Sequence, residues 1–499
     1  MARVVVVGAG MGGLAAAARL GALGHSVVVC EQSERAGGKV GTVSRDGFTF
    51  DTGPSLLTLP AAYRDLFLKT GGPLEDEVEL QPVDPVFTYR FPDGTRLRMP
   101  NASRAAVRQA VGESLGEQAA DDWEALIAHA ARVWEATRGP FLEAPLTARD
   151  MVRLSRDLRA LRTVAPWRSL RTVGTRRLHD PRLRMVLDRY ATYTGSDPRR
   201  APAALCVIPF MEQAFGAWHV RGGIRRLADA VCARAVQTGA ELRLGTEVRR
   251  VLVEGGRAAG VELADGSRVD ADVVVAGSDA RELYGHLLAP DVAAAPLRRL
   301  RRAEPSLSGF VLLLALEGRT PGLTHHTVLF PADYDDEFDS VFGGRVPADP
   351  TVYVSAADDP ALRPDDDSEA WFVLVNAPRH EPGTGTDWDA PGFADAYADS
   401  VLEILARRGL DVRDRLRWRV VRTPADLERE TRSPGGAIYG TSSNGPRAAF
   451  LRPANRSPVP GLFLVGGSSH PGGGLPLVAL SAAIVAEMVG KAERRPRAS

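Results

Sequence analysis

Gly8-Ala9-Gly10-Met11-Gly12-Gly13 stands directly after the apolar run Val4 to Val7 and directly before the helix-forming stretch Leu14 to Leu20. Glycines at this spacing hold the phosphates of a dinucleotide when they form the turn of a strand-turn-helix unit, and the pattern is uninformative outside that context. Gly8 would allow the tight turn, Gly10 would let a pyrophosphate approach the backbone, and Gly13 would let the helix pack closely on the strand, with Gly12 in the same bend. The phosphates would lie at the positive end of the helix. A second strand, Ser26 to Cys30, ends in Glu31, whose spacing suits a carboxylate accepting hydrogen bonds from adenosine ribose hydroxyls.

Two further glycine clusters extend this chemistry. Arg35-Ala36-Gly37-Gly38-Lys39 would bring backbone N–H groups and positive charge to the pyrophosphate and flavin side of a cofactor. Near the other end, Leu462-Phe463-Leu464-Val465-Gly466-Gly467-Ser468-Ser469-His470-Pro471-Gly472-Gly473-Gly474-Leu475-Pro476 reads as a strand, a glycine-rich bend and the start of a helix. Such a bend lets the backbone lie against a flavin ring, so Gly466, Gly467 and Leu475 are placed near it. The edge at Glu247-Val248 would offer backbone groups to an adenine. A cofactor domain assembled from the start, middle and end of the chain fits non-covalent FAD better than NAD. Only one complete dinucleotide fingerprint is present, since Gly222-Gly223, Gly255-Gly256 and Gly343-Gly344 lack the surrounding unit. The flavin then most simply receives hydride from the substrate itself.

The elements that must position these groups follow from composition and periodicity. At 499 residues two or three domains are expected. Basic and acidic residues both total 62, which argues against a nucleic-acid partner. Cys30, Cys206 and Cys232 lack metal-ligand spacing; no metal or disulfide framework is expected, and a reducing cytoplasm fits. No apolar run is long enough for a signal peptide or a bilayer span. The expected class is α/β, with a discontinuous Rossmann-type FAD-binding domain over 1–75, 222–285 and 431–499. An α+β substrate domain over 76–100 and 286–430 and a helical subdomain over 101–221 complete it.

Within these domains, Val86 to Met99 reads as a hairpin around Pro92-Asp93-Gly94, and Leu242 to Val269 as a small meander leading into a buried strand at Asp272 to Gly277. Residues 149–189 are rich in arginine. On a helical projection Met151, Leu154, Leu158, Leu161 and Ala165 share one face, while Arg153, Arg156, Arg159 and Arg162 lie on the other. That pattern suits either docking to an anionic membrane or a soluble helix with solvated arginines.

The N-terminal unit, the Phe50-Asp51-Thr52-Gly53-Pro54-Ser55 segment, Arg189-Tyr190-Ala191-Thr192-Tyr193-Thr194-Gly195-Ser196-Asp197-Pro198, Gly216 to Gly223 and the His470 to Pro476 cassette together resemble the bacterial phytoene desaturase (carotenoid desaturase) family. The resemblance spans nearly the whole chain, and the C-terminal cassette is its specific part. It implies a glutathione-reductase-like FAD fold, with Gly8, Gly10, Gly13, Glu31, Gly38 and Lys39 at the cofactor; Lys39 stands where arginine is common. It also implies peripheral membrane association at the inner face of the cell membrane and an apolar polyene substrate.

The expected reaction is removal of hydride and a neighbouring proton to leave a new C=C bond, with oxygen or a quinone as terminal electron acceptor. Allylic stabilisation lowers the demand for a strong acid or base, so burial and alignment would carry much of the rate. His470 is the titratable candidate for the proton, or else a histidine that anchors its turn. His219 and Arg221 would line a channel or hold a turn, and His325-His326 would sit in a loop. The alternatives are a flavin amine oxidase, a carotenoid or retinoid isomerase or saturase using reduced FAD, and a non-enzymatic flavin or membrane adaptor.

Overall fold

The computed structural model describes residues 1–139, 157–445, 448 and 452–492. Its first layer is a five-stranded parallel sheet in the order Glu241–Arg243, Ser26–Cys30, Arg3–Val7, Val273–Ala276, Leu462–Leu464. Both faces of this sheet are covered, which is why its central strands are unbroken valine runs rather than alternating ones. Val4, Val6, Val27 and Val29 pack with Leu14 and Leu20 of the helix Met11–Ala22. Val5, Val7 and Val274 pack on the opposite side with Val261, Leu283 and Leu287.

The meander is present as the antiparallel strands Val248–Glu254, Arg257–Leu263 and Arg268–Asp270. Its expected first member departs from it: Glu241–Arg243 instead pairs in parallel with Ser26–Cys30 as the edge of the five-stranded sheet. Three residues are too short for a periodicity to reveal which sheet they join.

The second layer is a seven-stranded sheet in the order Leu416–Arg422, Ser308–Glu317, Ser368–Ala377, Val352–Ser355, His326–Leu329, Phe87–Arg90, Arg96–Met99. The hairpin Phe87–Arg90 with Arg96–Met99 forms as its pattern requires and joins the rest through one parallel pairing, Val328 beside Tyr89. Helices Glu117–Arg138, Leu170–Arg177 and Pro181–Thr192 cover one face, sharing a core that includes Tyr89, Trp123, Leu187 and Leu313. Helix Phe393–Arg407 covers the other, against Leu312, Trp371 and Trp388.

Met151, Arg153, Leu154 and Arg156 lie outside the described residues. The described part of that pattern is the helix Leu158–Val164, which ends at Ala165 in left-handed backbone conformation, with Arg159 and Arg162 exposed. No helix among the described residues is long and apolar enough to cross a membrane.

Candidate functional site

A cavity of about 520 Å³ runs from the glycine turn to the inner face of the seven-stranded sheet. At its polar end the wall includes Gly8, Gly10, Gly12, Glu31, Gly38, Lys39, Val248, Gly466, Gly467 and Leu475. Gly13 lies behind that wall. A Cβ there would meet the Gly8 carbonyl oxygen at 2.1 Å, so glycine is what lets the helix sit against the strand. A Cβ at Gly12 would meet the Gly466 Cα at 2.9 Å, so the two ends of the chain meet at this bed.

Four observations test whether the bed fits FAD. Gly10 caps the helix Met11–Ala22 with no side-chain hydrogen bond, and a Cβ on it would meet nothing within 4 Å. The first-turn N–H groups therefore face open space suited to a pyrophosphate. Gly474 repeats this arrangement at the helix Leu475–Val489. The Glu31 carboxylate is fixed by the N–H groups of Ala9 (2.6 Å) and Ser33 (2.9 Å) and keeps lone pairs for hydroxyl donors. The buried Ser278 Oγ on the wall has no partner among the described residues. The residues fit the cofactor.

Lys39, in the wall of the bed, also holds a loop of the C-terminal part. Its ammonium donates to the carbonyls of Ala437 (2.9 Å) and Ile438 (2.7 Å), and burial lowers its pKa to about 8, opposed by nearby Asp279. Arg452, half-buried and lowered to about 10 by desolvation, likewise donates to the carbonyls of Thr441 and Gly467. Two half-buried cations thus hold the backbone that carries the C-terminal cassette.

Beyond the bed the cavity opens into an apolar chamber walled by Phe87, Leu307, Val311, Tyr353, Phe372 and Leu374. One cation faces it that the sequence did not single out as functional. Arg189 lies over the rings of Phe87 (4.8 Å), Tyr193 (5.1 Å) and Tyr353 (5.5 Å) and donates to the Tyr193 hydroxyl at 2.6 Å. Among the described residues no carboxylate lies within ion-pair distance of it. Its signal in the sequence was an arginine at the head of the tyrosine-rich segment 189–198, but two of its three aromatic partners, Phe87 and Tyr353, come from distant strands.

Behind Arg189, Glu212 is buried, accepts from the Tyr190 hydroxyl at 2.6 Å and leaves its second oxygen unpartnered. Burial lifts its pKa to about 7. A carboxyl group raised in the folded state contributes stability that is fully present below its unfolded pKa, near 4.5, and lost as pH rises through about 7. Glu212→Gln keeps the acceptor for Tyr190 and removes the titration. It is expected to raise the denaturation midpoint at pH 8, to leave it unchanged at pH 4, and so to flatten the stability profile between the two.

Several sequence candidates lie away from the chamber. His470 is not in the wall; its N–H donates to the Pro453 carbonyl and its own carbonyl accepts from Asn455. His219 is paired with Asp359 at 2.8 Å, and Arg221 with Glu79 at the surface. The loop expected at His325-His326 is corrected: His326 opens the strand His326–Leu329, is fully buried against the Val86 carbonyl, and is held neutral with a pKa of about 3. Burial in the sheet outweighs the polarity of the pair.

A family model described as flavin containing amine oxidoreductase matches residues 11–371. The 4,4'-diapolycopene oxygenase of a Methylomonas species is 33% identical over 98% of this chain and 98% of its own. A hydroxyneurosporene desaturase of Rubrivivax gelatinosus is 34% identical over 97% of this chain and 92% of its own. Among solved structures, putrescine oxidase bound to putrescine superposes with a TM-score of 0.66 at 16% identity, covering 98% of each chain, a likeness of fold.

Proposed function

The chain belongs to the carotenoid-desaturase branch of the flavin-containing amine oxidoreductases, and from that premise we propose that it is an FAD-dependent desaturase of an apolar polyene, phytoene or a related carotenoid. The observation that carries this reading is the continuity of one cavity, from a phosphate-binding glycine bed into a chamber walled by aliphatic and aromatic side chains. Bound FAD supplies the two-electron acceptor for the hydrogen that leaves with its bonding pair; the neighbouring hydrogen leaves as a proton.

In this reading the chain's own residues bind, orient and exclude water. Gly8, Gly10, Gly12 and Gly38 cradle the pyrophosphate, Glu31 takes the ribose hydroxyls, Val248 borders the adenine, and Gly466, Gly467 and Leu475 border the flavin. Lys39 acts through the loop it holds. Phe87, Val311, Phe372 and Leu374 keep the reacting C–H in a dry, aligned position, which is where the rate enhancement arises. His470, outside the wall, takes an anchoring role.

The amine oxidase reading is disfavoured by Arg189, because a buried guanidinium in the chamber repels a protonated amine. The same group favours a polyene carrying an oxygen at one end, since the name of the Rubrivivax relative specifies a hydroxylated substrate. Peripheral residence on the inner face of the cell membrane, with oxygen or a quinone reoxidising the cofactor, suits an apolar substrate that dissolves in lipid.

Coexpression with the genes for phytoene or a partly desaturated, hydroxylated carotenoid tests the reading. Loss of two hydrogens per new double bond, seen by mass and by red-shifted absorbance, is expected. Unchanged pigment with fully loaded FAD, or a product of unchanged or raised hydrogen content, overturns it in favour of another apolar substrate or of an isomerase or saturase. Glu31→Ala is expected to raise the Kd for FAD about tenfold to a hundredfold, roughly 1.5–3 kcal/mol for hydrogen bonds to a charged acceptor. Titration of the apoprotein with FAD measures it, and full yellow occupancy at wild-type affinity contradicts the ribose assignment.

A further inference from the structure

A second cavity, of about 320 Å³, lies among the helices Glu117–Arg138, Leu158–Val164 and Leu170–Arg177. Among the described residues its wall carries His129, Arg162, Arg168, Arg176 and Arg177, with Thr163 beside them, and no carboxylate. Arg132 adds its charge nearby, acting on both His129 and Arg177. Among the described residues, none of these five arginines has an ion pair or a side-chain hydrogen bond.

Three other arginines of the same helical region are matched to carboxylates. Arg171 pairs with Asp188 and Asp335, Arg182 with Asp180 and Asp93, and Arg199 with Asp197 and Asp339. Arg162, Arg168, Arg176 and Arg177 instead converge on the cavity, where like charges raise each other's electrostatic energy. His129 reports that field: burial, and then the charges of Arg177, Arg132 and Arg168, lower its pKa to about 4, so it stays neutral at physiological pH. An anion entering the cavity relieves the repulsion and meets guanidinium groups whose planar donor forks match phosphate oxygens.

We propose that this cavity is a binding site for a phosphate group, separate from the dinucleotide bed and presented either by a phospholipid headgroup or by a soluble phosphate. Trp167, 61% exposed, sits in sequence between the wall residues Ala165 and Arg168, and an amphipathic indole in that position suits a bilayer interface. The site stands independently of which polyene the enzyme desaturates.

The FAD-loaded full chain is titrated calorimetrically with inorganic phosphate and, in a separate arm, sedimented with vesicles of phosphatidylcholine alone or mixed with phosphatidylglycerol. The cavity variant Arg168→Gln/Arg176→Gln/Arg177→Gln is compared with the charge-matched surface control Arg298→Gln/Arg301→Gln/Arg302→Gln. Bound flavin absorbance verifies folding, and the single variant Arg168→Gln serves if the triple variant loses flavin. Saturable phosphate binding that weakens at least tenfold in the cavity variant and not in the control supports the site with a soluble source. Phosphatidylglycerol-dependent sedimentation with the same contrast supports it with a lipid source. In either case the ligand is expected to raise the His129 titration midpoint, read by NMR of labelled histidine. No binding to either probe, or equal losses in cavity and control variants, overturns the proposal while leaving the desaturase reading intact.

Discussion

Replacing Gly13 with valine is expected to yield a protein without yellow colour. The added Cβ would stand 2.1 Å from the Gly8 carbonyl oxygen, far inside van der Waals contact, and the nearest other atoms are the Val6 side chain and the Gly8 carbonyl carbon. Backbone cannot swing aside as a flexible side chain would, so the helix Met11–Ala22 must move off its strand. Overpacking of this kind costs roughly 3 kcal/mol or more. The displacement also carries the first-turn N–H groups away from the pyrophosphate position, so stability and cofactor affinity fall together. Flavin-to-protein stoichiometry and the denaturant midpoint measure the two losses. A valine variant that purifies with one flavin per chain contradicts the helix-on-strand packing described above.

Arg189→Met is expected to lower kcat/KM for a hydroxylated polyene about tenfold to a hundredfold and to change that for a hydrocarbon polyene far less. A charge-assisted hydrogen bond contributes roughly 1.5–3 kcal/mol, and methionine keeps much of the volume over the rings of Phe87, Tyr193 and Tyr353 while removing every donor. Discrimination between substrates with and without the oxygen isolates the donor from the packing, because lost packing affects both. Equal losses on the two substrates would assign Arg189 to holding the aromatic wall alone. Arg189→Lys restores charge without the planar fork and is expected to recover only part of the preference.

The parts of the fold that could be read from the sequence are those whose determinants are neighbours in the chain. Val4 to Val7, the glycines and Leu14 to Leu20 form one local unit in which each residue type constrains the next, and the strand, turn and helix appear in that order. The hairpin around Pro92-Asp93-Gly94 is equally local. The chamber was hidden because Phe87, Arg189 and Tyr353 come from a hairpin strand, a helix and a distant strand, and only the parallel pairing of Phe87–Arg90 with His326–Leu329 joins the first to the last. His326 misled through its polarity. Its ring is buried because Val86 supplies a carbonyl partner, a contact across 240 positions that no periodicity reports.

The contact of Gly12 with Gly466 has a consequence for biosynthesis. A nascent chain emerging from the ribosome completes four strands of the parallel sheet by Ala276, yet the fifth, Leu462–Leu464, and the bend after it follow only once every strand of the seven-stranded sheet has been made. Until then the bed proposed for the flavin lacks its C-terminal half, and the valine-rich edge at Val273–Ala276 is unsheltered. Premature termination anywhere before Gly466 is therefore expected to yield a polypeptide that does not retain the coenzyme.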